Sequence, residues 1–293
     1  MGLDVTYKGS QIAQLTEDGN LTLETAGKYC EGDIELAYTG GGSGDDAVVT
    51  FIESPIEGVF ENSKVTRIRD AAFAYCISLT SANFPACTSI GSSAFNNCYN
   101  LTSISFPICT SIGEYAFNDC NLTSVNFPAC TSIGNNAFNN CKSLTSANFP
   151  ACTSIGNSAF TYCSSLTSVD FPACTSIGSN AFNNCRSLTI AIFSASQTAQ
   201  SIYSMAFARC YNLLSLYLLA STMYNLQNIN VFSSTPISTY TISTGGVNGS
   251  IFVKESLYAS YIAATNLATY SARFVSLTDT EVNRVMETGT HLT

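Results

Sequence analysis

The chain of 293 residues carries a formal net charge of −9, which is concentrated near the amino terminus. Residues 1–61 hold twelve acidic residues against Lys8 and Lys28, whereas the remaining residues hold eight acids and nine bases. So few cations make nucleic acid or an anionic membrane surface an unexpected partner. The sequence shows neither a long apolar segment nor a basic and then apolar leader, so direct insertion into a membrane is not expected.

The first 39 residues predict a small acidic β module. Apolar and polar residues alternate at 5–7, 21–23 and 34–38, and charged turn residues separate these short runs. Because about forty residues bury too little apolar surface to be stable alone, we expect this module to oligomerise or to attach to a larger particle. The glycine-rich run 40–46 predicts a flexible linker after it.

A 22-residue unit dominates the middle of the chain. Its consensus is Leu-Thr-Ser-x-x-Phe-Pro-x-Cys-Thr-Ser-Ile-Gly-x-x-Ala-Phe-x-x-Cys-x-x, and it runs almost unchanged over residues 79–187. A period of this size indicates a solenoid, and we predict roughly seven turns with a capping first strand over residues 47–235. The stretch before proline favours a parallel β-sheet on one wall, and the Ile-Gly-x-x-Ala-Phe stretch favours short helical or 3₁₀ turns on the other.

Twelve of the thirteen cysteines lie in two columns of this repeat, and only Cys30 lies outside them. Parallel Cβ vectors in a ladder suit disulfides poorly, and free cysteine packs as a small apolar residue. Buried free thiols are therefore the favoured interpretation, with bridges or a metal as the alternative. The spacing of ten or eleven residues without histidine is not that of a zinc site, so we expect no metal and no other cofactor.

Residues 236–293 are expected to form an α/β cap and a tail. A last strand is predicted at 250–253, and residues 257–274 show a helical apolar stripe that we expect to cover the open end of the solenoid. Residues 279–293 are polar and are expected to be loose.

Catalytic groups are scarce in the sequence. The single histidine, His291, lies at the extreme carboxyl terminus, which is a poor place for a nucleophile–base pair. Between residues 79 and 188 the acids are Glu114, Asp119 and Asp170, which lie on different turns or walls and form no facing pair. We therefore do not expect an enzyme.

The repeat core Ile-Gly-x-x-Ala-Phe-x-x-Cys, found five times between residues 90 and 185, resembles the BspA-like leucine-rich repeats of bacterial surface proteins. Residues 251–270 resemble the end segment common in that family, with Lys254 in place of a usual proline and Leu267 in place of a usual tryptophan. Residues 22–34 are similar to a segment of tail and surface proteins of phages and prophages. The resemblance implies adhesion, and it brings no catalytic residue.

The outward positions of the predicted strands are the candidate ligand-binding residues. Small hydroxyl and amide groups on a rigid sheet suit sugar hydroxyls or a peptide backbone, although the same groups also simply solvate a sheet. The break to Ile190, Ile192 and Tyr217 is either an exposed anchor or a patch covered by the segment after Leu218. The candidates are Ser81, Asn83, Ser103, Ser105, Ser124, Asn126, Ser146, Asn148, Ser168, Asp170, Ile190, Ile192, Ser215 and Tyr217.

These observations favour a non-enzymatic recognition protein that binds a cell-surface or extracellular protein or glycan through its solenoid. A phage or prophage tail is the first expected setting, with residues 1–39 as the attachment end. A bacterial cell-surface adhesin of the BspA-like type is the second interpretation, and an intracellular interaction scaffold is the third. The corresponding locations are a virion tail, or the extracellular space and the cell surface.

Overall fold

The structure is a computed structural model, and it describes residues 4–7, 10–15, 21–23, 47–49, 58–61, 63, 65–194, 200–226, 229–238 and 249–288. Near the amino terminus, three strands form an antiparallel sheet in the order β1-β2-β3. They are β1 Asp4–Tyr7, β2 Ser10–Leu15 and β3 Leu21–Leu23. The strands predicted at 5–7 and 21–23 are thus present, β2 was not predicted, and the predicted strand 34–38 and linker 40–46 lie outside the described residues.

The repeats form a parallel solenoid, as the sequence predicts. One side, which we call the long-strand wall, carries the five strands that precede proline and further strands at both ends. Its order is β5-β7-β9 and β11-β13-β15-β17-β19-β21-β22. Its strands are β5 Gly58–Glu61, β7 Leu79–Asn83, β9 Ser103–Ser105, β11 Ser124–Asn126, β13 Ser146–Asn148, β15 Ser168–Phe171, β17 Ile190–Phe193, β19 Ser215–Leu218, β21 Ser250–Lys254 and β22 Phe274–Leu277. The interruption between β9 and β11 coincides with the 21-residue interval between Leu101 and Leu122.

A second parallel sheet, the short-strand wall, was not predicted. It is built mainly from the Ser-Ile pairs that precede each repeat glycine, and its nine strands correspond to about nine turns rather than roughly seven. Its strands are β4 Ala47–Val49, β6 Val65–Ile68, β8 Ser89–Ile90, β10 Ser111–Ile112, β12 Ser132–Ile133, β14 Ser154–Ile155, β16 Ser176–Ile177, β18 Gln200–Ile202 and β20 Tyr224–Leu226.

The third side, which we call the turn wall, is formed by the residues between each repeat isoleucine and the next anchor leucine. Within a turn, Asn96 N–H donates to Ser93 O at 3.0 Å, which is the bond of a 3₁₀ turn. Every second N–H instead points along the solenoid axis, as where Phe95 N–H donates to Ala116 O of the next turn at 2.7 Å. Left-handed residues such as Ser93 (φ 56°) make this alternation possible, so the wall contains turns rather than a continuous helix.

Two columns of phenylalanine rings fill the space between the walls. In the column that follows alanine, Phe117, Phe138 and Phe160 stack nearly parallel at centroid distances of 5.3 and 5.2 Å. The column that precedes proline stacks in the same way, and the two columns meet at steep angles, as Phe138 does with Phe149 at 64°. Rings from both columns are buried completely, which confirms the inward positions predicted from the repeat.

The carboxyl-terminal segment covers the last turn. It contains a 3₁₀ helix Ile229–Phe232, helix α1 Glu255–Ala263, a second 3₁₀ helix Thr265–Arg273 and helix α2 Asp279–Thr288. Buried Tyr261 and Tyr270 join the main core, as expected of a cap. The Tyr261 hydroxyl accepts the Tyr224 N–H at 2.8 Å, which satisfies a backbone donor at the final strand of the short-strand wall.

Residues 279–288 correct the expectation of a loose tail, because they form a regular helix. Thr278 and Glu281 make a capping box: Thr278 N–H and the Thr278 hydroxyl both donate to Glu281 Oε2 at 2.8 Å, and Glu281 N–H donates back to Thr278 Oγ1. The apolar positions Val282 and Val285 are buried, so the helix is held by tertiary packing as well as by its cap.

Candidate functional site

The predicted serine and asparagine positions lie together on the outer face of the long-strand wall, which we call the strand face. Strand register stacks Ser124 on Ser146 and Asn126 on Asn148, and it places Asn148 beside Asp170. Val125, between the two outward positions of β11, is buried in the core. The structure therefore assembles two straight columns with a spacing of about 4.8 Å, as the alternation predicted.

Part of the hydrogen-bonding capacity of the strand face is used within the face itself. Asn148 Nδ2 donates to Asn126 Oδ1 at 2.7 Å, so each of these amides has fewer groups left for a ligand. The next position of that column is Asp170, and burial raises the pKa of its carboxyl above the ordinary value. From β7 to β15 the face is polar, and its ten outward candidates include no aromatic side chain.

At the carboxyl-terminal end of the strand face, the predicted anchor is covered. Tyr217 is fully buried and Ile192 is only 8% exposed, while Ile190 and Ser215 are half-buried. Val282 and Val285 of α2 pack in the same cluster as Ile192 and Tyr217. Of the two alternatives left by the sequence, the structure therefore shows the covered patch, and an exposed Ile192–Tyr217 anchor is wrong.

The physical reason for the covered patch is a run of apolar outward positions on successive strands. Ile192 pairs in register with Tyr217, and Tyr217 pairs with Phe252, whose ring stacks on Tyr217 at 4.5 Å. Leaving these side chains in water would cost roughly 1.5–3 kcal/mol for each, whereas α2 buries them with its own valines. The patch is therefore a docking site for the chain's own helix.

Exposed aromatic residues occur instead on the turn wall and its borders, which the sequence reasoning missed. Six tyrosines there are 39–61% exposed. Four of them stand where asparagine, serine or glycine is common in other turns, and the other two, Tyr99 and Tyr211, directly follow a repeat cysteine. For those four, the replacement of a small residue by tyrosine was the available signal. The six are Tyr75, Tyr99, Tyr115, Tyr162, Tyr203 and Tyr211.

The twelve cysteines of the two columns are buried and free. Cys98 Sγ donates to Phe73 O at 3.0 Å and Cys109 Sγ donates to Ser111 O at 3.2 Å, so the thiols are tied to backbone carbonyls. Burial raises the pKa of Cys109 to about 11 and that of Cys152 to about 12, which leaves them protonated at neutral pH. Within the described ranges, no three His, Cys, Asp or Glu side chains are grouped as metal ligands.

The lengths of the helices bear on whether any of them could span a membrane. Over the part of the chain that the structure covers, none is both long and apolar enough to cross a bilayer.

Comparison with solved structures finds similarity to leucine-rich repeat proteins. A leucine-rich repeat protein of T. pallidum shares 25% identity, with a TM-score of 0.47 and coverage of 64% of this chain and 82% of that chain. A leucine-rich cell surface protein of Faecalibacterium prausnitzii shares 20% identity, with a TM-score of 0.41 and coverage of 73% and 70%. The pneumococcal vaccine antigen PcpA shares 12% identity, with a TM-score of 0.45 and coverage of 85% and 98%.

No curated protein matches this chain significantly. A family model does match. The BspA type leucine-rich repeat region is found in six copies that extend over residues 66–189 and 131–258, more than half of the chain. Repeat period, stacked core and family model agree, and the chain belongs to the BspA-type leucine-rich repeat family.

Proposed function

We propose that this chain is a non-enzymatic recognition protein that binds a ligand at a cell surface or in the extracellular matrix through the outer faces of its solenoid. The observation that carries the proposal is the set of six exposed tyrosines on and beside a rigid turn wall. Tyrosine is enriched among the residues that dominate binding energy, because it offers a large contact area at little cost in side-chain entropy.

The turn wall is the stronger of the two proposed contact surfaces. Every turn fixes its backbone to the next turn by hydrogen bonds, as where Tyr162 N–H donates to Asn183 O at 2.9 Å. A side chain on such a support loses little conformational freedom when a ligand binds, so more of the contact energy appears as affinity. The surrounding serine and asparagine residues supply adaptable hydrogen bonds.

The strand face is the second proposed contact surface. Its columns from Ser81 to Asp170 present hydroxyl and amide groups in straight rows, a pattern that suits a repeating polar ligand. Without an aromatic anchor on these columns, we expect this face to add specificity to a ligand that the turn wall holds.

The biological setting is proposed from the resemblance of one segment and from family membership. The similarity of residues 22–34 to phage and prophage tail proteins favours a tail-mounted protein in which residues 1–39 attach to a larger particle. Membership of the BspA-type family favours the alternative, a bacterial cell-surface adhesin. Copurification of the full chain with tail particles, or with cell envelopes, decides between these settings and the intracellular scaffold.

The experiment that tests the function is binding of the fluorescently labelled full chain to intact cells and to immobilised matrix proteins. Tyr115→Asn combined with Tyr162→Asn removes two exposed rings while introducing the residue that Asn136 and Asn140 provide at the equivalent positions. We expect this variant to fold normally and to lose most binding. Ser146→Lys combined with Asn148→Lys is the matched change on the strand face, for which we expect a smaller loss.

Absence of binding by the unmodified chain to every cell and matrix surface would refute the recognition role. Normal binding by the tyrosine variant would refute the turn wall as the main contact surface, and complete loss in the lysine variant alone would transfer that role to the strand face.

A further inference from the structure

The turn wall contains a depression of about 300 Å³ that spans four successive turns near residues 158–233. Most turns carry asparagine after the repeat phenylalanine, but Thr161 and Ala208 replace it on either side of Asn183. Alanine is much smaller than asparagine, so the loss of bulk at Ala208 helps to open the depression beside Asn183. Its volume is at the lower end of the range for small-ligand sites.

The floor of the depression is a chain of oriented amides. Asn184 Nδ2 donates to Asn183 Oδ1 at 2.6 Å, and Asn183 Nδ2 donates to Asn180 Oδ1 at 2.8 Å. Asn184 is only 3% exposed, and its Oδ1 retains acceptor capacity beyond these bonds. A buried amide held in one orientation, with groups left over, is suited to a ligand that both donates and accepts hydrogen bonds, as vicinal sugar hydroxyls do.

The rim of the depression consists of large side chains on left-handed backbone. Tyr162 (φ 62°), Met205 (φ 57°) and Arg209 (φ 60°) are all exposed, at positions where other turns have serine or asparagine. Hydrogen bonds between turns fix the backbone of two of them, as where Tyr162 N–H donates to Asn183 O and Arg209 N–H to Ser233 O. These large side chains are therefore held around the depression and remain accessible to a ligand.

The positive charge at the depression narrows the class of ligand that it can bind. Arg209 is the charged side chain among the residues that line the depression. Between residues 144 and 209 the sequence contains a single acid, Asp170, which lies on the strand face instead. A guanidinium matches a planar carboxylate through two parallel hydrogen bonds, whereas phosphate-rich ligands are typically met by several cations.

We propose that this depression binds a saccharide that carries a carboxylate. The Asn183–Asn184 amides contact its hydroxyl groups, Tyr162 and Met205 pack against its apolar ring face, and Arg209 pairs with its carboxylate. The inference rests on the proposed recognition function and specifies the ligand class for one part of the turn wall.

The test is titration of the full chain with 3′-sialyllactose, which carries a carboxylate, and with lactose, which does not, followed by calorimetry or ligand-observed NMR. We expect binding of sialyllactose and at least about tenfold weaker binding of lactose, the loss of one charge-assisted pair. A glucuronic acid disaccharide and a phosphorylated sugar extend the series to another carboxylate and another anion.

Two variants test whether the charge of Arg209 itself contributes to binding. Arg209→Asn installs the residue that Asn184 provides in the preceding turn, so we expect an unchanged melting temperature and about tenfold weaker binding of sialyllactose. Arg186→Asn is the matched control, because it removes an exposed arginine of the same region outside the depression. We expect it to bind as the unmodified chain does.

Equal binding of lactose and sialyllactose, normal binding by Arg209→Asn, preference for the phosphorylated sugar, or binding of none of the carboxylated sugars would each overturn this inference. Cell binding by the unmodified chain is measured in parallel. If it persists while the sugars fail to bind, the ligand class is wrong and the recognition function stands; if cell binding is also absent, both fail.

Discussion

The repeat glycines give the sharpest prediction of stability, and Gly134→Ala is its test. A Cβ built at Gly134 would lie 2.6 Å from Gly113 C and 2.7 Å from Glu114 N, whereas ordinary van der Waals contact begins at 3.4 Å. The clash is with the backbone of the preceding turn, so rotation of a side chain cannot relieve it. The two turns must separate by about 0.8 Å, the difference between these distances.

That separation determines the magnitude of the effect. It would stretch the hydrogen bond from Gly134 N–H to Ile112 O from 2.9 Å to roughly 3.7 Å, beyond the normal range. Overpacking costs about 1–3 kcal/mol and a lost hydrogen bond about 1 kcal/mol, while alanine recovers up to about 1 kcal/mol through the unfolded chain. We therefore expect the free energy of unfolding to fall by about 1–4 kcal/mol.

Urea denaturation monitored by circular dichroism measures this loss. Ser132→Ala is the matched control, since it changes an exposed side chain in the same turn, and we expect it to alter the free energy of unfolding by less than about 0.5 kcal/mol. An equal loss in both variants, or a Gly134→Ala protein as stable as the unmodified chain, would refute the close-approach argument.

Three further predictions concern the cap, the thiols and helix α2. Tyr261→Phe should lower the free energy of unfolding by about 1–3 kcal/mol in urea denaturation, because it leaves the buried Tyr224 N–H without its acceptor. Tyr258 is half-buried, and the control Tyr258→Phe should change the free energy of unfolding little. Equal effects of the two changes would contradict the capping role of Tyr261. The repeat thiols should react with a thiol reagent slowly in the native state at pH 8 and fully in denaturant, since all twelve are buried. Rapid native reaction of several thiols, or mapped disulfides, would contradict this prediction. Hydrogen bonds from Thr278 lower the pKa of Glu281, so the stability that this carboxylate gives to the α2 cap is present above its unfolded pKa and is lost as the pH falls through its folded pKa. The amide signal of Thr278 should therefore shift as the pH falls below about 4.5 in the unmodified chain and should shift less in Glu281→Gln, which does not titrate at this position. Identical pH profiles would contradict the cap.

The candidate binding residues on the solenoid surface could be predicted from the sequence only in part. The columns from Ser81 to Asp170 follow from alternation within a strand, so the sequence was sufficient to place them on one face. The exposed tyrosines were visible as departures from the consensus, but their grouping on one wall depends on the left-handed turns, which the consensus does not reveal.

The sequence by itself determined the period, the stacking direction and the inward residues, because each turn repeats the same local pattern and contacts its neighbours. Only the tertiary structure decided which outward residues remain exposed. Ile192 and Tyr217 occupy outward positions like those of Ser146 and Asn148, yet they are buried because Val282 and Val285 return from more than sixty residues away in the sequence. Burial on an outer face depends on a distant docking segment, and no periodic pattern within a turn carries that information.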